Sequence, residues 1–203
     1  MRLMSQSSFN NEAASNRKSK LSTDQKTIVL VGLMGAGKTV LGSKLARLMG
    51  RPFIDSDVEI ERTAEMRIRD IFEYDGEARF RKIETQIIKA ILEGPPVVLS
   101  TGGGAFCQPA LRAIIKQKAL SIWINAPPEI LFARIKNTAS RPLLHGDDPL
   151  EVLKSLAEDR NPHYAKADIT LETKGLGLAR SVSDLVSLVN TATQKSDSAY
   201  DTD

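Results

Sequence analysis

The segment with the clearest chemical content is a glycine-rich stretch that ends in lysine and threonine. Gly32-Leu-Met-Gly-Ala-Gly-Lys38-Thr39 fits the pattern G-x-x-x-x-G-K-[ST] and lies between a predicted strand and a predicted helix. Such a loop points backbone N–H groups and a helix N-terminus at phosphates, while the lysine binds the β- and γ-phosphates and the threonine binds Mg²⁺. The segment therefore predicts a nucleoside triphosphate site. Its predicted contacts are Gly35, Ala36, Gly37, Lys38, Thr39 and Val40.

Two carboxylates follow the second predicted strand, in Asp55-Ser56-Asp57. Residues two apart in an extended chain point to the same side, so both carboxylates could face one ligand. One could hold Mg²⁺ through water while the other accepts a proton from a hydroxyl nucleophile. The alternative is that Asp57 is the N-cap of a helix that starts at Val58.

A later helical segment carries Glu77, Arg81 and Glu84 at helical spacing. Residues three and four apart share a helix face, so one interpretation is a ladder of surface ion pairs. The other is a guanidinium that Glu84 holds and that binds a substrate carboxylate, a task for which the planar fork of arginine is suited.

Further candidates follow the third strand and the later helices. In Thr101-Gly102-Gly103-Gly104 the glycines either allow a ligand to approach the backbone or form a flexible turn. The segment from Arg141 to Pro149 predicts a mobile loop that brings an arginine to phosphates, or an ordinary charged connector. Arg160 is either a second anion-binding residue or a favourable charge near a helix C-terminus. Cys107 has no neighbouring helper residue in sequence and is predicted to be structural.

The elements that must position these residues alternate between strand and helix patterns. Short apolar runs predict strands at 27–31, 52–55, 97–100, 120–124 and 168–171. Helical patterns occupy 40–49, 83–91, 109–118, 128–136, 149–160 and 178–189. Apolar strands separated by helices are typical of an α/β protein with a parallel sheet covered on both faces. Ligands of such sheets bind at the carboxyl ends of the strands, where the candidate residues fall.

Composition narrows the functional class. The 203 residues are 41% hydrophobic and 26% charged, which is typical of a globular domain, and no apolar run is long enough to span a membrane. One cysteine and two histidines argue against a disulfide framework or a multi-histidine metal site, and they favour a cytoplasmic location. A net charge of +3, spread along the chain, does not indicate nucleic-acid binding. We therefore expect a cytoplasmic monomer whose partners are small molecules, with neither nucleic acid nor membrane among them.

The two ends of the chain are polar. Residues 1–25 and 194–203 are predicted to be disordered tails, and 26–193 to form one domain with a mobile lid at about 137–149.

In combination, these motifs resemble the shikimate kinase family. In chain order they are G-L-M-G-A-G-K-T, F-I-D-S-D, G-E-x-x-F-R-x-x-E, T-G-G-G, R-P-L-L and an arginine before x-P-x-Y. The first motif is shared with many nucleotide-binding proteins, whereas the full ordered set is specific. The resemblance implies a P-loop NTPase fold of the nucleoside monophosphate kinase type, with five parallel strands in the order 2-3-1-4-5. It also implies transfer of the γ-phosphoryl group of MgATP to the 3-hydroxyl of shikimate, on the pathway to chorismate and aromatic amino acids.

The resemblance also implies roles at the phosphate end of the site. Lys38 resembles the lysine that binds the transferring phosphate, and Thr39 and Asp55 resemble the residues at the metal. Asp57 resembles the residue that binds the shikimate hydroxyls and acts as the base or orients it.

At the other positions, Arg81 and Arg160 match arginines that bind the shikimate carboxylate, and Gly102–Gly104 matches the backbone turn that binds shikimate. Arg141 matches a lid arginine that reaches ATP and the transferred phosphate. Arg134 falls where the family has an arginine against the adenine.

One departure and three competing hypotheses stand beside this resemblance. Residues 172–177 contain no proline where relatives often place one against adenine, which leaves the adenine contacts on that side open.

A gluconate kinase of the same fold would also bind a polyhydroxy carboxylate. A GTP-dependent regulator would need N-K-x-D and D-x-x-G motifs, and neither string occurs in the sequence. An inactive interaction protein on the same scaffold would not be expected to keep the whole polar site.

Overall fold

The structure is a computed structural model that describes residues 26–135 and 148–198, with side chains up to residue 193. Within these ranges five parallel strands form one sheet, in the order β2-β3-β1-β4-β5. The strands are β1 Thr27–Val31, β2 Phe53–Asp55, β3 Val98–Ser100, β4 Ala119–Asn125 and β5 Ile169–Glu172. This order confirms the topology that the family resemblance implied.

Strand β1 lies at the centre of the sheet and explains why the sheet is covered on both faces. Its Ile28 is paired with Val98 of β3 on one side and with Leu120 of β4 on the other. Successive residues of a strand point to opposite faces, and Ile28, Val29, Leu30 and Val31 are all fully buried. Both faces must therefore carry packed helices, as a continuous apolar run in a parallel sheet requires.

Helices connect the strands and supply the two packed layers. They are α1 Lys38–Met49, α2 Ser56–Ala64, α3 Ile68–Tyr74, α4 Gly76–Glu93, α5 Pro109–Lys118, α6 Pro128–Arg134, α7 Pro149–Tyr164 and α8 Leu178–Ser198. A short 3₁₀ turn, Ala105–Cys107, lies between β3 and α5. Helices α1 and α8 pack together, and α4 packs against α2, α3 and α5.

Helices α2, α3 and α4 have a small core of their own. Ile60 of α2, Ile71 of α3, and Phe80 and Ile87 of α4 form a buried cluster separate from the main core around β1. This cluster fixes α4 relative to α2, and it thereby positions the charged face of α4.

The observed elements differ from the predicted ones in four places. Helix α3 was not predicted, and α2 was considered only as the alternative in which Asp57 caps a helix, because the segment 56–74 buries few apolar residues. Helix α4 begins at Gly76, before the start of the helical pattern at 83–91. Helix α7 continues through Pro162 to Tyr164, beyond the predicted end at residue 160. Helix α8 continues to Ser198, into the segment predicted to be a tail.

No helix within residues 26–135 and 148–198 is long and apolar enough to cross a membrane.

Candidate active site

A cleft of about 900 Å³ lies at the carboxyl edge of the sheet. It is lined by the segment after β1, by the carboxylates at the end of β2 and the start of α2, and by the glycine turn after β3. The arginines Arg81, Arg134 and Arg160 reach it from three different helices. The cleft therefore brings together every predicted site residue except Arg141, which lies outside the described residues.

The phosphate loop is formed by glycines at the start of α1. Gly35 and Gly37 have φ values of +78° and +92°, a region that other residues rarely adopt. Gly37 is the N-cap of α1, and since glycine has no capping side chain, the first N–H groups of the helix remain for an anion. Lys38 Nζ donates to the carbonyl oxygens of Gly32 and Leu33, at 2.9 and 3.0 Å, so its ammonium group lies across the loop. This arrangement can bind the phosphates of a nucleotide.

Thr39 and Asp55 form a second group beside the loop. The Thr39 hydroxyl donates to Asp55 Oδ2 at 2.8 Å, while Asp55 Oδ1 accepts from the backbone N–H of Asp57 at 3.1 Å. Asp55, with extended backbone, is therefore the N-cap of α2, and the alternative in which Asp57 caps this helix is wrong. Cap formation by Asp55 leaves the Asp57 side chain to another role.

A hydroxyl and a carboxylate in hydrogen-bond contact are a set of hard oxygen donors that fits Mg²⁺. This ion uses few protein ligands and completes its octahedral shell with phosphates and water. Among the described residues no cluster of three or more His, Cys, Asp or Glu could hold a metal alone.

The glycine turn after β3 lies against two carboxylates. A Cβ atom built on Gly102 would lie 2.7 Å from Asp57 Oδ1 and 3.0 Å from Glu84 Oε1, so any larger residue would displace them. The Gly102 N–H donates to the Ser56 hydroxyl at 3.2 Å. Gly102, Gly103 and Gly104 do not have positive φ, so close approach rather than backbone flexibility requires glycine here.

Arg81 is shared between two glutamates of its own helix, and one of them is buried. Its Nη1 donates to Glu84 Oε2 at 2.7 Å, and its Nε and Nη2 donate to Glu77 Oε1 at 3.1 and 3.0 Å. The Glu84 side chain is 0% exposed and that of Glu77 is 65% exposed. The interpretation as a ladder of surface ion pairs is therefore wrong for the pair Arg81–Glu84. Burial raises the pKa of Glu84 to about 7, against the opposing effect of the Arg81 guanidinium.

A second arginine reaches the same turn from α7. Arg160 Nη1 would lie 3.4 Å from a Cβ on Gly103, and the guanidinium carbon of Arg81 would lie 2.6 Å from one on Gly104. Two cations from different helices thus converge on adjacent glycines. A carboxylate bound at this turn could therefore interact with both guanidinium groups.

Tyr164 holds the turn in place from the same helix as Arg160. Its hydroxyl donates to the carbonyl oxygen of Gly103, and its side chain is fully buried. Burial raises the pKa of the Tyr164 phenol, so it remains a neutral donor. Burial likewise raises the pKa of the Cys107 thiol, in keeping with the structural role predicted for it.

Arg134 occupies the opposite end of the cleft. Its Nη1 donates to the Thr173 hydroxyl and its Nη2 to the Thr173 carbonyl oxygen, both at 3.1 Å. Thr173 is buried and its hydroxyl donates to the Asn125 carbonyl oxygen at 3.0 Å. Leu176 and Leu178 line the same end, where the sequence has no proline, and they offer an apolar surface to a planar base.

Sequence reasoning assigned no role to three residues that organise the site, namely Gln108, Tyr164 and Thr173. Gln108 donates from Nε2 to Glu84 Oε2 at 2.8 Å. Tyr164 carried a signal, because it is the tyrosine of the motif in which an arginine precedes x-P-x-Y. The partners of Gln108 and Thr173 lie 24 and 39 residues away in sequence, so no local pattern identifies them.

Comparisons with known proteins agree with this geometry. A family model described as shikimate kinase matches residues 34–190. The shikimate kinase of Cereibacter sphaeroides is 48% identical over 149 residues, which are 73% of this chain and 75% of that protein.

Solved structures give the same result. Shikimate kinase from Acinetobacter baumannii in complex with shikimate superposes with a TM-score of 0.78 at 38% identity, covering 83% of this chain and 95% of that chain. A gluconokinase from Sinorhizobium meliloti superposes with a TM-score of 0.53 at 14% identity, over 87% and 96% of the two chains, and shares the fold alone. The family match covers most of the chain and includes the phosphate loop from Met34 onward, Arg81, Arg160 and the glycine turn, and on this ground the chain belongs to the shikimate kinase family.

Proposed function

We propose that this chain transfers the γ-phosphoryl group of ATP to the 3-hydroxyl of shikimate, giving shikimate 3-phosphate for the synthesis of chorismate and aromatic amino acids. One observation carries the proposal. Arg81 and Arg160 converge on Gly103 and Gly104 in the same cleft that holds the phosphate loop, with Asp57 beside Gly102.

The acceptor end suits a molecule with a carboxylate on one side and hydroxyls on the other. Arg81 and Arg160 supply bidentate donors for the carboxylate. Asp57, beside Gly102, supplies an acceptor for hydroxyl groups. The backbone of Gly102–Gly104 can approach the ring closely, because these residues carry no side chains.

The donor end suits MgATP. The N-terminus of α1 and Lys38 bind the phosphates, with Gly35, Ala36, Gly37 and Val40 around them. Arg134, fixed by Thr173, lies against the base. Thr39 and Asp55 would hold Mg²⁺, which neutralises charge on the phosphates when it is bound.

In the transfer step, Asp57 accepts the proton of the attacking hydroxyl or orients that hydroxyl in line with the phosphate. Lys38 stabilises the charge on the transferring group. We assign Arg141, outside the described residues, the role of a cation that reaches the same phosphate, and we propose that the chain acts as a cytoplasmic monomer.

A coupled ADP-release assay with MgATP tests this function, with shikimate, gluconate or no acceptor. We expect ADP release that depends on shikimate, with gluconate at background. Release with gluconate alone would keep the phosphate site and overturn the acceptor assignment. If neither acceptor causes ADP release in a folded protein that binds ATP, a nucleotide-binding regulator would be favoured.

A further inference from the structure

We propose that Gln108 is a positioning residue for the substrate-binding Arg81, and that it acts through the buried carboxylate of Glu84. This inference rests on the proposed function, because it concerns the arginine assigned to the shikimate carboxylate. Gln108 lies at the N-cap of α5, and it does not cap that helix with its side chain. Its side chain extends instead to α4.

The hydrogen bonds define one chain of contacts. Glu84 Oε2 accepts from Gln108 Nε2 at 2.8 Å and from Arg81 Nη1 at 2.7 Å. The other end of the amide is also held, since the Thr85 hydroxyl donates to Gln108 Oε1 at 3.3 Å. The Glu84 carboxylate can only accept, so the amide nitrogen of Gln108 faces it. The Thr85 hydroxyl can donate, so the amide oxygen faces Thr85, and the orientation of the amide follows from these two neighbours.

Glu84 depends on these two donors. Its side chain is fully buried, and Oε1 has no hydrogen-bond partner among the described residues. Among the described residues, Arg81 and Gln108 donate to this carboxylate, and both donate to Oε2. An ionised group in such a place is stable only with good partners, so the loss of one donor shifts it towards its protonated form.

The charged groups around Glu84 act in opposite directions. Burial and the Asp57 carboxylate of α2 raise its pKa, to about 7, while Arg81 and the Gln108 amide lower it. On the α5 side Arg112 is directed to the carbonyl oxygens of Phe106 and Cys107, at 2.8 and 3.1 Å. Gln108 is thus the donor to Glu84 on that side, and Arg160 of α7 lies beyond the turn at Gly103.

Arg81 responds to the charge of Glu84, since Glu77 also holds it. Glu77 is exposed and draws the guanidinium outwards, whereas ionised Glu84 draws it inwards to Gly104. When Glu84 is protonated, the inner attraction falls and the outer one remains. Gln108 therefore favours the position of Arg81 that can meet a substrate carboxylate.

The test compares Gln108→Leu with the matched control Gln86→Leu. Gln86 lies on α4, is exposed and does not line the cleft. Steady-state kinetics are measured from about pH 6 to 9. In Gln108→Leu we expect KM for shikimate to rise about tenfold near pH 7, with KM for ATP unchanged and kcat changed less than about threefold. The control should match the parent enzyme.

The pH profile separates a positioning role from a structural one. Ionised Glu84 is the form that orients Arg81, so kcat/KM for shikimate should fall as pH drops through the pKa of Glu84. Loss of the Gln108 donor raises that pKa, and the acidic limb should move to higher pH by about one unit. The inference is overturned if the acidic limb of the kcat/KM profile does not move and KM for shikimate is unchanged. It is also overturned if KM rises equally for shikimate and for ATP.

A measurement without turnover keeps the inference separate from the proposed function. Side-chain ¹³C NMR of labelled glutamate, with the Glu84 signal assigned by its loss in Glu84→Gln, follows the titration of Glu84 in the substrate-free protein. We expect a pKa near 7 in the parent and a higher one in Gln108→Leu. If shikimate proves not to be a substrate, the proposed function fails, and an unchanged Glu84 titration overturns the inference in either case.

Discussion

Two glycines show that the absence of a side chain is as important to this site as the charged groups. Gly102 lies against Asp57 and Glu84, and Gly104 lies against the guanidinium of Arg81. The backbone of Gly104 is ordinary, with φ −92° and ψ −13°. The constraint on this residue is therefore the space that Arg81 occupies, and a substitution there should affect function before stability.

Gly104→Ala tests this point directly. The added methyl group displaces the flexible end of Arg81, so we expect kcat/KM for shikimate to fall about 10²-fold with little change in the denaturant midpoint. Gly94→Ala is the control, because its methyl group would make an ordinary 3.5 Å contact with the Ile91 carbonyl oxygen. Equal kinetics for the two variants would contradict the role given to the turn.

Asp57→Asn tests the assignment of the base. The backbone N–H of Asp57, which Asp55 caps, is unchanged by this substitution, so α2 should remain intact. We expect kcat to fall by about 10²–10⁴, because an amide cannot accept the proton of the attacking hydroxyl. Asp75→Asn, at an exposed position that makes no side-chain cap, serves as the control. Near-normal turnover of Asp57→Asn would remove Asp57 from the transfer step.

At the scale of elements, the sequence predicts the strands well and the helices α2 and α3 poorly. The strand β1 consists of five buried residues, and such a run has few alternatives to a central strand. In α2 only Ser56 and Ile60 are buried, and in α3 only Ile71, so neither helix shows an apolar stripe. Their positions depend on packing against α4, which no local pattern encodes.

The same limit applies to the charged residues of α4. Glu77 and Glu84 stand at equivalent helical spacings from Arg81, and nothing local says that one is exposed and the other buried. The difference arises from α2, the glycine turn and Gln108, which enclose only the Glu84 side. Spacing can therefore predict the ion pairs, whereas their chemical roles require the tertiary structure.

Helix α7 is joined to the turn after β3 by Tyr164, and Tyr164→Phe tests that connection. Loss of the hydroxyl leaves the Gly103 carbonyl oxygen short of a buried donor, so we expect the free energy of unfolding to fall by about 1 kcal/mol. The turn should also loosen, and KM for shikimate should rise a few-fold while KM for ATP stays the same. Tyr74→Phe, at a tyrosine that is 74% exposed, is the control. Similar KM values for shikimate in both variants would show that α7 does not hold the turn.

For the whole molecule, the buried Glu84 links substrate binding to stability. The site needs this carboxylate ionised to hold Arg81, while burial favours the protonated acid. At a pH where Glu84 is ionised and can hold Arg81, the folded state is therefore destabilised by the buried charge of Glu84. Arg81 and Gln108 reduce that cost without removing it, since the pKa of Glu84 remains raised.

This balance predicts how stability changes with pH. The pKa of Glu84 is raised from 4.5 to about 7 in the folded state, so between these values the folded state binds more protons than the unfolded state. The contribution of Glu84 is full below about pH 4.5 and is lost as pH rises through about 7. Relative to Glu84→Gln, the free energy of unfolding should fall by up to about 3 kcal/mol across this window.

Urea unfolding of the parent, Glu84→Gln and Glu77→Gln at several pH values measures this slope. Glu77→Gln is the matched control, because Glu77 shares the helix and the arginine partner of Glu84 while its side chain is 65% exposed. We expect the control to keep the pH slope of the parent and Glu84→Gln to flatten it. Since a buried carboxylate is the cause, a slope that persists in Glu84→Gln would place the titrating group elsewhere and would remove the link between the charge of Glu84 and the position of Arg81.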